Sequence, residues 1–220
     1  DWIMKLMEDY KKEPGGIEKL KEQNSKFIND DYVKFLRFGQ HFIEKNDEGV
    51  LAFINPHGFL DNPTFRGMRW NLLKTYDKIY TLDLHGNTKK NEKAEDGSTD
   101  QNVFDIMQGV SVNFLIKTGR KKQGELGEIF NFDVFGKREF KYNFLNENDF
   151  KSIPFKKIPN KSPMYYMVQK NFELESVYER GVSLSELFKI NSLGLLTKRD
   201  KFITDFEQSS IENRLKDFLE

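Results

Sequence analysis

The sequence predicts an α/β fold, because helical and strand-like patterns alternate along its first 117 residues. Apolar residues recur at helical spacing in three segments of this half. Short apolar runs that lack this spacing lie between and after them, and such runs are typical of strands buried on both faces of a sheet. The helix–strand–helix–strand order favours a sheet with crossover helices.

Each element of the first half has its own signal. The first helix is predicted at residues 2–10, before the breaker Pro14-Gly15-Gly16. The second begins near Asn29-Asp30-Asp31, because Asn and Asp are favoured at the N-cap and in the first turn. A third helix is predicted at residues 65–76, and strands are predicted at 50–54, 78–84 and 110–117.

The second half predicts a β-rich or mixed segment. Residues 128–135 and 139–144 have the pattern of two strands joined in a hairpin at Gly136-Lys137. A capping-box spacing predicts a helix at residues 209–219. We therefore predict two domains, residues 1–122 and residues 123–220.

The length and composition exclude several classes of protein. The 220 residues are enough for one large domain or two small ones. No apolar run approaches the ~18–20 residues of a membrane-spanning helix, and no segment resembles a signal peptide. Cysteine is absent, which excludes disulfides and thiolate chemistry. We expect a cytoplasmic protein and, because the chain begins with Asp1 rather than Met, a piece of a longer one.

Charge is balanced overall but uneven along the chain. Basic and acidic residues number 35 each. Residues 117–161, however, hold 11 basic and 6 acidic residues, a net charge of +5. This excess is compatible with a solvated loop or with a surface that faces phosphates.

Local motifs assign no chemistry. His57 and His85 follow predicted strands, where α/β folds place ligands, but neither has a sequence-local nucleophile or metal-ligand set. No metal site is therefore predicted. The polar stretch 87–101 is expected to be a mobile loop. One alternative is an enzyme in which His57 and Asp83 act as acid and base.

Several segments follow one another in an order that resembles that of a known enzyme family. DYVKFLRF at residues 31–38 and GVLAFINP at Gly49–Pro56 are followed by the Arg-containing helix at 66–73 and by NVFDIMQGVSV at 102–112. This order resembles the N6-adenine DNA methyltransferase part of single-polypeptide restriction–modification enzymes of the type ISP or type IIG kind. Residues 136–139 and 196–200 also resemble those enzymes.

The resemblance implies the carboxyl half of a Rossmann-like S-adenosylmethionine-dependent methyltransferase sheet, whose last strand is antiparallel, followed by the start of a target-recognition region. The family's Gly-rich cofactor turn and its (Asn/Asp)-Pro-Pro-(Tyr/Phe) segment do not occur in this sequence. The chain alone is therefore expected to be inactive. The implied partner is double-stranded DNA, with a nuclease or translocase fused in the parent polypeptide.

The resemblance also implies roles for single residues. Phe104 corresponds to the family's aromatic residue that stacks on the flipped adenine. The implied phosphate contacts are Arg120, Lys121, Lys122, Lys198 and Arg199. The alternative from another class is a non-enzymatic module that binds DNA or another protein.

Overall fold

The computed structural model describes residues 2–21, 25–94, 96–182, 184–188, 202 and 204–219. Its helices are α1 (Trp2–Met7), α2 (Asp31–Glu44), α3 (Arg66–Thr75), α4 (Arg138–Glu147), α5 (Glu175–Glu179), α6 (Leu184–Leu187) and α7 (Gln208–Leu219). Its strands are β1 (Gly49–Pro56), β2 (Lys78–Asp83), β3 (Val110–Lys117), β4 (Glu128–Asp133) and β5 (Lys156–Ile158). Short 3-10 turns at His57–Leu60 and Pro63–Phe65 link β1 to α3.

The five strands form one mixed sheet in the order β1-β3-β2-β4-β5. Strand β3 is antiparallel to both β1 and β2, whereas β4 is parallel to β2. Strands β1, β2 and β4 therefore run in the same direction. The predicted α/β class is confirmed, and the helices and strands predicted in the first half are present with small shifts at their ends.

The sheet packs against apolar side chains on both faces. Ile79, Leu115 and Ile129 belong to a core that includes residues of α1, α2 and α3. Leu82 belongs to a second core, which includes Phe144 of α4. Alternate strand residues point to opposite faces, so one run of strand residues supplies both cores.

The predicted hairpin is wrong in its second strand. Residues 138–147 form helix α4, and β4 instead pairs with β2 and with the short strand β5. Phe140 and Tyr142, which suggested strand alternation, are partly exposed, while the buried residue of α4 is Lys141.

Contacts divide the chain into two compact units, Asp1–Lys170 and Asn171–Glu220. The first unit contains the whole sheet, and the second contains α5, α6 and α7. The boundary predicted between residues 122 and 123 lies inside the first unit, because β4 continues the sheet. Within the described part of the chain, no helix has the length and apolar character needed to cross a membrane.

Candidate functional site at the carboxyl edge of the sheet

The carboxyl ends of β1, β2 and β4 lie at one edge of the sheet, which we call the carboxyl edge. His57 directly follows β1, Asp83 ends β2, and Asp133 ends β4 opposite Asp83. The polypeptide leaves the sheet at these points, and α/β folds commonly bind ligands outside this edge. The topology therefore gathers titratable side chains from distant parts of the sequence.

Five of these side chains form what we call the carboxyl-edge cluster: His57, Asp83, His85, Glu92 and Asp133. His57 Nδ1 lies 2.9 Å from Asp83 Oδ1, and both side chains are buried. His85 Nε2 lies 2.9 Å from Asp133 Oδ1, and its Nδ1 lies 3.5 Å from Glu92 Oε1. His57 thus has a carboxylate close to one ring nitrogen, and His85 has a carboxylate close to each of its two.

Backbone geometry holds the cluster in place. His85 has a φ of 51°, a left-handed conformation that is uncommon outside glycine, and its N–H donates to Asp83 Oδ1 at 2.9 Å. Its ring stacks on Phe135 with 3.8 Å between ring centroids. Glu92 Oε2 accepts a 2.8 Å hydrogen bond from the Asn87 N–H. The polar stretch expected to be a mobile loop is therefore anchored at Glu92.

The cluster shifts two pKa values. Burial opposes the charged form of His85, but its hydrogen bonds to Asp133 and Glu92 and the charge of Asp83 outweigh burial and raise its pKa to about 9. Burial also opposes the charged form of Glu92. The His85 and Asn87 N–H donors outweigh it and lower the pKa of Glu92 to about 2. His85 is thus held as a cation among carboxylates at neutral pH.

The cluster borders a cavity of about 240 Å³. A hydrogen-bonded histidine–aspartate pair beside a cavity can transfer protons or bind a cation. The structure brings together His57 and Asp83, the two residues of the acid–base alternative, and that role for them stays a prediction.

Phe104 lies on the loop that enters β3 at the same edge, and the residue is 45% exposed. The loop is fixed by buried Asn102, whose Nδ2 donates to the carbonyls of Gln108 (2.6 Å) and Gly86 (3.2 Å) and whose Oδ1 accepts from the Phe104 N–H. Arg138 Nη2 donates to the Phe104 carbonyl at 3.1 Å. An exposed aromatic ring is thereby presented by a backbone that is held on both sides.

The predicted phosphate contacts Arg120, Lys121 and Lys122 lie at the opposite edge. They follow the carboxyl end of β3, and antiparallel pairing places that end beside the start of β1 and β2. The length of β3, about 24 Å at ~3.4 Å per residue, separates them from the loop of Phe104. They do not form one site with Phe104, and their role in DNA binding stays a prediction.

Lys121 differs from its two neighbours. Arg120 and Lys122 are exposed, but the Lys121 ammonium donates to three backbone carbonyls at the end of α3 and beyond it. The acceptors are Leu73, Lys74 and Tyr76, at 2.8, 2.9 and 2.7 Å. All three ammonium protons are therefore used within the fold. Lys198 and Arg199 lie outside the described residues.

Sequence reasoning missed Glu92 and Asp133 as members of the cluster. Asp133 ends a strand, as Asp83 does, and this position was the available signal. Glu92 lies in a polar stretch whose composition resembles that of a solvated loop. No local pattern distinguishes it from the acidic residues around it.

Comparison with solved structures gives matches over nearly the whole chain. The type ISP restriction–modification enzyme LlaBIII bound to DNA is 25% identical, with a TM-score of 0.71 over 98% of this chain. A nuclease-deletion mutant of the type ISP enzyme LlaGI with a DNA substrate mimic is 18% identical, with a TM-score of 0.70 over 98%. DrdV in complex with DNA is 24% identical, with a TM-score of 0.66 over 90%.

No protein-family model and no curated protein matches the chain. The chain spans only 14% of the LlaBIII chain and 20% of the LlaGI and DrdV chains. The chain is thus similar, along almost its entire length, to a segment of restriction–modification enzymes, which supports the resemblance carried by its sequence.

Proposed function

We propose that this chain is part of an adenine-N6 DNA methyltransferase within a restriction–modification polypeptide, and that Phe104 stacks on the target adenine. The observation that carries the proposal is the exposed ring of Phe104 on a fixed loop at the carboxyl edge. Transfer of a methyl group to adenine N6 requires the base to leave the duplex, at a cost of a few kcal/mol. An aromatic face that receives the base offsets part of that cost.

The sheet supports the same proposal. The resemblance implies a last strand that is antiparallel to the others, and β3 is inserted antiparallel between β1 and β2. Its amino end therefore lies at the carboxyl edge, so the loop before it reaches the region where α/β folds bind ligands.

Strand β1 lies at the outer edge of the sheet, where further strands of the parent polypeptide could extend it. In the described part of the chain, β1 pairs with β3 alone. Phe35, Phe38, Val50 and Ile54 are about half exposed or more on α2 and β1. An open strand edge with apolar side chains near it favours pairing with a further strand, and the amino half of the methyltransferase sheet would supply one.

S-adenosylmethionine is the expected methyl donor of the parent. The Gly-rich turn that would hold it does not occur in these 220 residues, and no side chain here is assigned to it. The contribution proposed for this chain is to receive the flipped base.

Substitution of Phe104 in the complete polypeptide tests the proposal. Phe104→Ala is expected to lower kcat/KM for methyl transfer by roughly 5- to 150-fold, because base–aromatic stacking is worth about 1–3 kcal/mol. The measurement is incorporation of labelled methyl groups into duplex DNA that contains the recognition site.

Two control variants show whether the loss of activity is specific to the aromatic ring of Phe104. Phe104→Tyr keeps the aromatic face and is expected to retain most activity. Phe140→Ala removes another half-exposed phenylalanine of the same unit and is expected to leave methyl transfer unchanged. Equal rates for wild type and Phe104→Ala would remove Phe104 from the site.

DNA affinity of the chain itself tests the binding-module alternative. If Arg120 and Lys122 contact phosphates, their double alanine variant should reduce the slope of log K against log salt by about 1.8, at about 0.9 per contact. Fluorescence anisotropy with a labelled duplex at several salt concentrations measures that slope. Lys19→Ala/Lys45→Ala, which removes two exposed lysines elsewhere, is the control. An identical slope for both double variants would argue against these contacts.

A further inference from the structure

One buried nitrogen atom of the carboxyl-edge cluster, Nε2 of His57, has no hydrogen-bond partner among the described residues. Nδ1 of the neighbouring His85 faces Glu92 Oε1 at 3.5 Å. Buried polar atoms are nearly always paired, because an unpaired one costs about 1–3 kcal/mol. The rings of His57 and His85 are neighbours, with 5.8 Å between their centroids, so a ligand that pairs with His57 Nε2 can also contact His85.

The same two histidines form a potential ligand set with Glu92. One ligating atom from each of His57, His85 and Glu92 lies within 4.8 Å of the other two. Ligands of a tetrahedral zinc ion are roughly 3.4 Å apart when each bond is about 2.1 Å long. A small inward movement of the side chains would therefore complete the coordination.

The remaining carboxylates occupy the positions that metal sites use to orient histidines. A metal-binding histidine almost always donates its second ring N–H to a carboxylate, a carbonyl or water. Here Asp83 lies 2.9 Å from His57 Nδ1, and Asp133 lies 2.9 Å from His85 Nε2. The nitrogen left over is the unpaired Nε2 on His57 and, on His85, the Nδ1 that faces Glu92.

Burial and charge favour a cation at this point. His57 and Asp83 are more than nine-tenths buried, so water screens the cluster poorly. Three carboxylates converge on two imidazoles, of which only His85 carries a positive charge in the metal-free protein. A divalent ion would displace the His85 ring proton and supply the charge that neutralises the remaining carboxylates. Buried carboxylates that lack sufficient positive charge are unfavourable unless they are paired or coordinate a metal.

We propose that His57, His85 and Glu92 bind a divalent transition-metal ion of the zinc type, with Asp83 and Asp133 orienting the two imidazoles. Imidazole and carboxylate ligands suit this class of ion. The proposal is independent of methyl transfer, since it concerns residues to which the proposed function gives no role.

The ion would link three segments that are distant in sequence. His57 follows β1, His85 follows β2, and Glu92 lies in the polar stretch that leads towards Phe104. A bound metal would fix the end of that stretch and stabilise the carboxyl edge. With three protein ligands, one coordination position would remain for water from the adjoining cavity.

Zinc binding to the chelator-treated protein tests the proposal. Isothermal titration calorimetry is expected to show one zinc ion bound per chain, with an affinity that falls at least 100-fold in His57→Gln and Glu92→Gln. Asp83→Asn should weaken binding by about 10- to 100-fold, the usual effect of losing a carboxylate that orients a ligand. His41→Gln, which removes the histidine outside the cluster, should bind as the wild type does.

The visible absorption spectrum of the wild-type protein with Co²⁺ tests the proposal even if a variant fails to fold. Intense visible bands would support a four- or five-coordinate site with nitrogen ligands, whereas the weak spectrum of hydrated Co²⁺ would overturn the proposal. It would also be overturned if folded His57→Gln and Glu92→Gln proteins bound zinc as tightly as the wild type. Neither readout depends on enzymatic activity, so failure here leaves the test of Phe104 intact.

Discussion

Replacing Lys141 with methionine is expected to lower the free energy of unfolding by about 3–5 kcal/mol, because it leaves a buried carboxylate without its partner. The side chains of Lys141 and Asp100 are both 0% exposed, and Nζ lies 2.9 Å from Oδ2. Nζ also donates to the carbonyls of Leu84 (2.6 Å) and Gln101 (2.7 Å). Methionine keeps most of the side-chain volume but satisfies none of these three acceptors.

Denaturant titration of the wild type and Lys141→Met measures this effect. In a unit of this size it corresponds to a fall in Tm of roughly 6–20 °C. Lys157→Met is the matched control, because it breaks the Lys157–Glu128 pair, whose side chains are 62% and 42% exposed. An exposed pair is worth about 0–1 kcal/mol. Equal losses in the two variants would contradict the prediction.

A double variant separates the charge from the packing. Asp100→Asn in the Lys141→Met background removes the unpaired charge and is expected to recover part of the lost stability. Asp100 also accepts a 2.6 Å hydrogen bond from the Gly136 N–H, so the recovery should be incomplete. A double variant less stable than Lys141→Met would show that the stranded charge is not the cause.

The pair also bears on the proposed function. Asp100 and Gln101 directly precede Asn102, the residue that fixes the loop of Phe104. Lys141 thus joins α4 to the end of β2 and to the start of that loop. On heating, Lys141→Met should therefore lose methyl-transfer activity at a temperature lower than the one at which it unfolds.

Helix α4 shows why part of the fold could not be predicted from the sequence. Phe140, Tyr142 and Phe144 alternate with polar residues, which is the pattern of a half-buried strand. In the structure, Phe144 packs against the second core, while Phe140 and Tyr142 stay partly exposed. The helix is held by buried Lys141, and polarity patterns treat a lysine as a surface residue. Strands β1, β2 and β3 were predicted correctly from their short apolar runs. Strand β1, however, is only partly buried, and buried positions of the sheet include polar residues such as Asn55, Thr81 and Asn113.

The carboxyl-edge cluster was only half predictable for a similar reason. Position after a strand drew attention to His57 and His85, and this signal is local. The proximity of the two histidines to Asp133 depends on the parallel pairing of β4 with β2, which are about fifty residues apart in the sequence. It also requires the left-handed turn at His85, a conformation that is uncommon in residues other than glycine, although histidine adopts it more often than most.

Gly67→Ala is expected to destabilise the protein by up to about 3 kcal/mol, despite alanine's advantage of about 1 kcal/mol in a helix. Gly67 lies in the first turn of α3. A Cβ there would meet the Lys12 carbonyl oxygen at 1.9 Å and the Tyr10 carbonyl oxygen at 2.9 Å. Both contacts are with backbone atoms, which cannot turn away as a side chain can. Helix and loop would have to separate by more than 1 Å.

Gly39→Ala is the matched control, since Gly39 also lies within a helix and close to a neighbour. Its Cβ would meet Leu51 Cδ1 at 2.8 Å and Cδ2 at 3.0 Å, the far end of a flexible side chain. Leu51 can change rotamer, so we expect an effect near zero as the gain in helix propensity offsets the adjustment. Denaturant midpoints of the two variants, compared at equal m-values, measure the difference. If Gly67→Ala were as stable as Gly39→Ala, the loop at Lys12 would have to yield more readily than its packing against α3 implies.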